Sequence, residues 1–182
     1  AGRPFHKGRI PLFKEAIDNK LRDMLADMEN RPPRPDRGRG GLVEVYEGSC
    51  LDRLPAMPAA SVDVVVTSPP YCNRYDYTRT YALELAFLGR TNDQVKALRQ
   101  AMLSCTVENR EKAAELREMY ARVGRGAFYS AVLRAFREQT ALQEVLTALF
   151  GYRDQNRLNN SNVPRMVQNY FLEMALVIAE IA

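Results

Sequence analysis

The stretch Ser61-Val62-Asp63-Val64-Val65-Val66-Thr67-Ser68-Pro69-Pro70-Tyr71 constrains the fold of this chain more than any other. β-Branched side chains suit a pleated surface, so Val62, Val64, Val65 and Val66 predict a buried strand. That strand has to stop at Pro69-Pro70, because proline has no amide hydrogen to offer a ladder. A second extended stretch, Val43-Glu44-Val45-Tyr46-Glu47-Gly48, lies upstream. Between them stand Ser49-Cys50-Leu51-Asp52-Arg53-Leu54, which reads as a short helical turn, and the turn-forming Pro55-Ala56-Met57-Pro58. Strands at about 42–47 and 62–67, joined through a helix, fit a right-handed βαβ unit.

The remainder reads as helix. Over 12–29, Phe13, Ile17, Leu21, Met24, Leu25 and Met28 recur at helical spacing with charges between them. Residues 30–41 hold Pro32, Pro33 and Pro35 and end in Gly38-Arg39-Gly40-Gly41, a loop. Tyr77 to Leu88 is expected to be helical, and Asp93 to Phe150 almost continuously so, broken at Gly124-Arg125-Gly126 and ended by Gly151. A polar loop follows over 152–162, and a last helix begins after Pro164. That helix reaches residue 182 without a capping residue, and the chain does not begin with Met, so it reads as a fragment. The expected divisions are 1–41, a helix and linker; 42–89, the βαβ core; 90–162, a helical insertion; and 163–182, a returning core helix.

Composition narrows the function classes. A chain of 182 residues can form one domain or one lobe of a larger body. No apolar run is long enough to cross a bilayer, and residues 1–20 lack the apolar centre of a signal peptide. Cys50, Cys72 and Cys105 have no paired spacing, and His6 is the one imidazole. A zinc site or disulfide framework is therefore not expected, and the default setting is reducing and cytoplasmic. The net charge of +4 is carried mainly by arginine, which suits phosphates and base edges, although many basic proteins never touch nucleic acid.

Ser68-Pro69-Pro70-Tyr71 at the carboxyl end of a strand resembles the catalytic loop of the DNA amino-methyltransferases. These enzymes methylate the exocyclic nitrogen of cytosine (N4) or adenine (N6). Their motif is Asp, Asn or Ser, then Pro-Pro, then an aromatic. The order strand, Gly with a small polar residue, Leu-x-x-Leu, proline turn, Ser-Val-Asp, strand and Ser-Pro-Pro-Tyr is also similar to the family across 42–89. The likeness is loose over 163–182 and slight between. It implies an α/β chain, helix-rich overall: part of a Rossmann-like methyltransferase fold with few parallel strands and a large helical insertion.

The resemblance also implies roles. An exocyclic amine is a poor nucleophile until it moves toward tetrahedral geometry, which an acceptor on each of its hydrogens favours. The Ser68 side-chain oxygen and the Pro69 carbonyl are those acceptors, held by the fixed φ of Pro69 and Pro70. Tyr71 stacks on a base flipped out of double-stranded DNA, the alternative being ordinary packing at a strand end. Arg74, Tyr75 and Arg79 follow in a loop near the DNA; Arg74 and Arg79 either contact phosphates or brace the loop against Asp76 and Glu84. Cys72 follows a tyrosine instead of a proline, so it is a bystander and not a C5-type nucleophile.

The implied methyl donor is S-adenosyl-L-methionine. The family's Gly-rich donor turn has no match here, and Gly48, Ser49 and Cys50 are the remaining candidates for contact, with Ser49 where an acid is usual. The chain alone is thus expected to bind the donor weakly and to be inactive without the rest of the fold or a partner subunit. Arginines across 93–150 form either a basic face or solvated pairs with interleaved glutamates, and 152–162 either reads bases or is a plain loop. The parent activity fits restriction-modification. Two other readings remain: an RNA or protein amino-methyltransferase, and a degenerate, non-catalytic lobe that binds DNA or a partner.

Overall fold

The computed structural model describes residues 12–30 and 43–182. The loop expected over 30–41 lies, from residue 31 onward, outside the described residues, as does Leu42 at the head of the first expected strand. The chain divides after Glu44 into two units. In the first, α1 (Phe13–Glu29) forms where the spacing places it, and its apolar stripe stays exposed.

The second unit is Val45–Ala182. It opens with α2 (Cys50–Arg53), whose N-terminus is capped by Ser49 Oγ accepting from the Leu51 N–H, and a 3-10 turn at Leu54–Ala56. There follow α3 (Tyr77–Thr80), α4 (Ala82–Phe87), α5 (Asn92–Ala101), α6 (Ala113–Arg122), α7 (Gly126–Glu138), α8 (Thr140–Asp154) and α9 (Val163–Ile181). Thr91 and Gln94 form a capping box that starts α5. Gly124, at φ 74°, stops α6: its N–H reaches the Ala121 carbonyl and that of Arg125 the Tyr120 carbonyl.

Helix α9 is the axis of this unit. It packs against α2, α7 and α8. Leu176 and Val177 meet Leu51, Leu116, Tyr120, Tyr129 and Val132 in one core, while Leu172 joins Phe136 and Leu146 in a second.

Three expectations need correction. The α/β reading required strands at 42–47 and 62–67, and there is no strand among the described residues. Val62, Val64, Val65 and Val66 belong to no regular element and are 51%, 76%, 46% and 94% exposed. A strand needs a neighbour to take its N–H and C=O groups, and no described segment pairs with this one. Second, the helical run from Asp93 is interrupted over residues 102–112 as well as at Gly124. There Ser, Thr and Asn side chains compete for the backbone: Asn109 Oδ1 accepts from Thr106 N–H at 3.2 Å and Thr106 Oγ1 at 3.1 Å. Third, Gly151 does not end α8. An interior glycine costs only about 1 kcal/mol, and the stop comes at Asn156, in the left-handed region at φ 54°. Its N–H bonds the Arg153 carbonyl, and the Arg157 N–H bonds that of Tyr152.

Candidate active site

Two adjacent prolines leave the loop at Ser68–Tyr71 without two of its amide hydrogens, so it is held through its carbonyls. The Pro70 carbonyl accepts from the Tyr170 hydroxyl on α9 at 2.9 Å. The Tyr71 carbonyl accepts from the Asn73 N–H at 2.8 Å, turning the chain back directly after the aromatic. Asn73 Oδ1 then accepts from the Tyr75 N–H at 3.1 Å, and Arg74 takes φ 65° between them. Ser68 is exposed, Pro69 and Pro70 are half-buried, and the Tyr71 ring is 69% exposed.

Beyond the turn, Asp76 caps α3, accepting from the Thr78 N–H at 3.0 Å and from Thr78 Oγ1 at 2.6 Å. Arg99 Nε lies 3.0 Å from Asp76 Oδ2. Burial works against the Asp76 carboxylate, but its Thr78 hydrogen bonds and the Arg99 charge hold its pKa below the ordinary value. Arg79 lies 3.3 Å from Asp76 and 3.1 Å from Glu108, so its braces are Asp76 and Glu108 in place of the expected Glu84. Arg74 donates to Asn159 Oδ1 at 3.2 Å, joining this turn to the loop before α9. Tyr75 meets Tyr77 edge-on at 5.0 Å between centroids, and its carbonyl accepts from Cys105 Sγ at 3.4 Å. Burial, then the neighbouring Cys105, pushes the Cys72 thiol up to about 11, so it keeps its proton at neutral pH.

The donor candidates sit at the head of α2. Ser49 Oγ is already engaged as a helix cap, and a side chain on Gly48 (φ 139°) would meet Arg53 Nε at 2.9 Å. The Arg53 guanidinium is itself bonded to the Glu47 carbonyl. Gly48-Ser49-Cys50 as folded therefore offers no carboxylate for a nucleoside sugar, with its one hydroxyl already capping α2, and does not by itself fit S-adenosylmethionine. Ser49 borders a groove between α2, α5 and α6 that also carries Asp52, Lys96, Arg110 and Lys112, but none of Ser68–Tyr71 lines it. Among the described residues no group of His, Cys, Asp and Glu could hold a metal ion, and no helix is long and apolar enough to cross a membrane.

A buried polar seam behind the loop escaped the sequence reading. Glu173 on α9 is 1% exposed. Its carboxylate accepts from the Ser104 N–H at 2.8 Å and Ser104 Oγ at 2.6 Å, and lies 3.2 Å from Lys112 Nζ. Lys112 also donates to the Met102 carbonyl. About two turns further along α9, Glu180 accepts from Tyr120 at 2.8 Å and pairs with Arg125 at 2.6 Å. Tyr170, Glu173, Val177 and Glu180 thus share one face of α9 and touch, in order, the loop, the seam, α2 and the α6–α7 turn. The signal available in sequence was the pair of acids, Glu173 and Glu180, in the otherwise largely apolar stretch 170–181 of that helix.

The chain is 42% identical, over 180 residues, to the Type II methyltransferase M.AvaI of Nostoc sp. (strain PCC 7120), covering 97% of this chain and 35% of that protein. The figures are the same for M.AvaI of Anabaena variabilis. Type II methyltransferase M.BsoBI of Geobacillus stearothermophilus is 37% identical over 177 residues, 96% of this chain and 34% of its own length. No family model and no solved structure matches. The chain spans about a third of the length of the curated relatives it matches. The Ser68–Tyr71 loop lies inside the matched stretch, and on that similarity, carried over nearly its whole length, this chain belongs to the Type II methyltransferase family.

Proposed function

We propose that these residues supply the target-amine half of a DNA methyltransferase that modifies the exocyclic nitrogen of a flipped base. The observation that carries this is an exposed Ser-Pro-Pro-Tyr loop, its Pro70 carbonyl turned inward to Tyr170, inside a stretch 42% identical to a Type II methyltransferase. With the Pro70 carbonyl occupied, the Ser68 hydroxyl and the Pro69 carbonyl are the acceptors left for the two hydrogens of an amine. As acceptors they draw the amine hydrogens aside and favour tetrahedral nitrogen, so that the lone pair is released from the ring and points at the donor. Tyr71 offers a face for the base, and base–aromatic stacking contributes about 1–3 kcal/mol. Serine at the first position favours cytosine N4 over adenine N6. Arg74, Tyr75 and Arg79, which line one small pocket after this loop, are the proposed DNA contacts.

S-Adenosylmethionine, when bound, supplies an electrophilic methyl group. Its grip is proposed to come largely from the part of the fold outside the matched third, a Rossmann-like sheet into which 43–48 and 62–67 would insert as strands. The division at 42–89, 90–162 and 163–182 into core, insertion and returning helix belongs to the same proposal, as does a reducing, cytoplasmic setting for three free cysteines.

Nucleoside mass spectrometry on DNA from a methylation-deficient host tests the reading. The full-length protein should leave N4-methylcytosine or N6-methyladenine, and Ser68→Ala should abolish it. Isothermal titration of this chain alone with S-adenosylmethionine should show weak binding or none; low-micromolar affinity would refute the division of the site. The reading as a non-catalytic lobe has one specific support, the poor fit at Gly48-Ser49-Cys50, and unmodified DNA from the intact protein would favour it.

A further inference from the structure

We infer that Tyr170 is a positioning residue for methyl transfer, pinning the Pro70 carbonyl so that Ser68 and Pro69 present their oxygens to the target amine. The inference rests on the function proposed above. Three observations carry it. The hydroxyl donates to the Pro70 carbonyl at 2.9 Å across 100 residues of sequence. Pro69 and Pro70 lack amide hydrogens, so a carbonyl is the main-chain handle the loop retains at these positions. And Tyr170 is set firmly on its own helix: its ring meets Phe171 at 5.1 Å, and Glu173, one turn on, is locked to Ser104 and Lys112.

The consequence is a division of labour along three successive groups. The Pro70 carbonyl is held by Tyr170, and the restricted φ of Pro70 limits how the peptide before it, which carries the Pro69 carbonyl, can turn against that anchor. Tyr71 then leaves the loop at a defined angle, kept by the Asn73 N–H on its carbonyl. Burial pushes the Tyr170 phenol above its ordinary pKa, so it stays a donor across the working range of the enzyme. Without the hydroxyl the loop keeps its chemistry but not its aim. A uniform loss of binding is not expected; the loss falls on the transfer step, where a small misplacement is most costly.

The test uses the full-length protein and single-turnover methylation of duplex DNA by S-adenosylmethionine. Four forms are compared: wild type, Tyr170→Phe, Ser68→Ala, and Tyr120→Phe as a control. Tyr120 donates to Glu180 on the same helix at 2.8 Å, remote from the loop contact, so its Phe variant removes an equivalent tether to α9. Tyr170→Phe should lower the transfer rate about five- to tenfold, the loss of one hydrogen bond. Its KM for DNA and for donor should stay within about twofold. Tyr120→Phe should transfer at the wild-type rate. A wild-type rate in Tyr170→Phe, with an active wild type and a dead Ser68→Ala, overturns this inference and leaves the proposed function standing. Equal losses in both Phe variants, tracking a fall in Tm, also overturn it, since α9 docking would then be the cause. A silent wild type overturns the proposed function and this inference with it.

Discussion

Two non-helical connections in the Val45–Ala182 unit invert the usual relation between hydrophobicity and burial. Residues 61–68 are rich in valine and lie exposed, with Val66 94% open. Residues 102–112 include Ser104, Thr106, Asn109 and Lys112, and those four are 0%, 2%, 2% and 6% exposed. The difference is one of partners. Each of those four buried polar side chains has somewhere to go: Ser104 and Lys112 to Glu173, Thr106 to Asn109, and Asn109 Nδ2 to the Arg99 carbonyl at 2.9 Å. The valines of the first need a flanking sheet, and none of the described residues provides one. Burial thus follows satisfied neighbours, and apolar composition alone does not secure it.

Substitutions in the two connections should separate by size. Glu173→Leu leaves the Lys112 ammonium buried and uncompensated, and should cost about 3–5 kcal/mol of stability in urea unfolding. Pairing it with Lys112→Met should recover most of that loss; if it does not, the seam is more than an ion pair. At the boundary between the regions, Asp76→Ala removes the α3 cap and the Arg99 counter-charge, for about 1–2 kcal/mol. The same carboxylate makes stability depend on acid. Its folded pKa is depressed, so its contribution is complete above the unfolded carboxylate pKa and is lost as pH falls through the folded value. Equilibrium unfolding of wild type and Asp76→Ala should therefore converge at low pH, and curves that stay parallel there would contradict the assignment. Smallest of all, Val64→Thr and Val66→Thr should change the stability of these 182 residues by less than about 0.5 kcal/mol. A loss above about 1 kcal/mol would mean the valines are covered in solution, and the contrast between the connections would fail.

What the sequence disclosed was mostly local. Helical spacing placed α1 and α7, Pro164 marked the start of α9 and Gly124 the break before α7, because these depend on residues close in sequence. The Ser-Pro-Pro-Tyr loop stood out through the order of short motifs around it. Contacts between distant segments were not legible: nothing near Pro70 points to Tyr170, and nothing near Ser104 points to Glu173. The interruption at 102–112 was masked because Met102 and Leu103 continue the apolar spacing of α5; the competing signal was the cluster of Ser104, Thr106 and Asn109. Likewise Gly151 drew attention from Asn156, whose left-handed backbone ends α8. The strands failed as expectations for a related reason: a valine run states a preference for a sheet, while the sheet itself is built by other segments. The chemistry assigned to Ser68 and Pro69 came from resemblance, which is why its test is a reaction and not a distance.

The face of α9 that carries Tyr170, Glu173 and Glu180 has a consequence for the order of events at the ribosome. Each of its contacts closes a long loop: 100 residues back to Pro70, 69 to Ser104, 60 to Tyr120 and 55 to Arg125. A growing chain that has already exposed the Ser68–Tyr71 loop still has no anchor for it, and Lys112 and Arg125 still lack these counter-ions. Those groups are charged or polar, so they wait in water at little risk of clumping, unlike an open apolar core. Translation must therefore deliver α9 before the loop can be set. A stop before Tyr170 would yield a chain that carries the motif without this anchor.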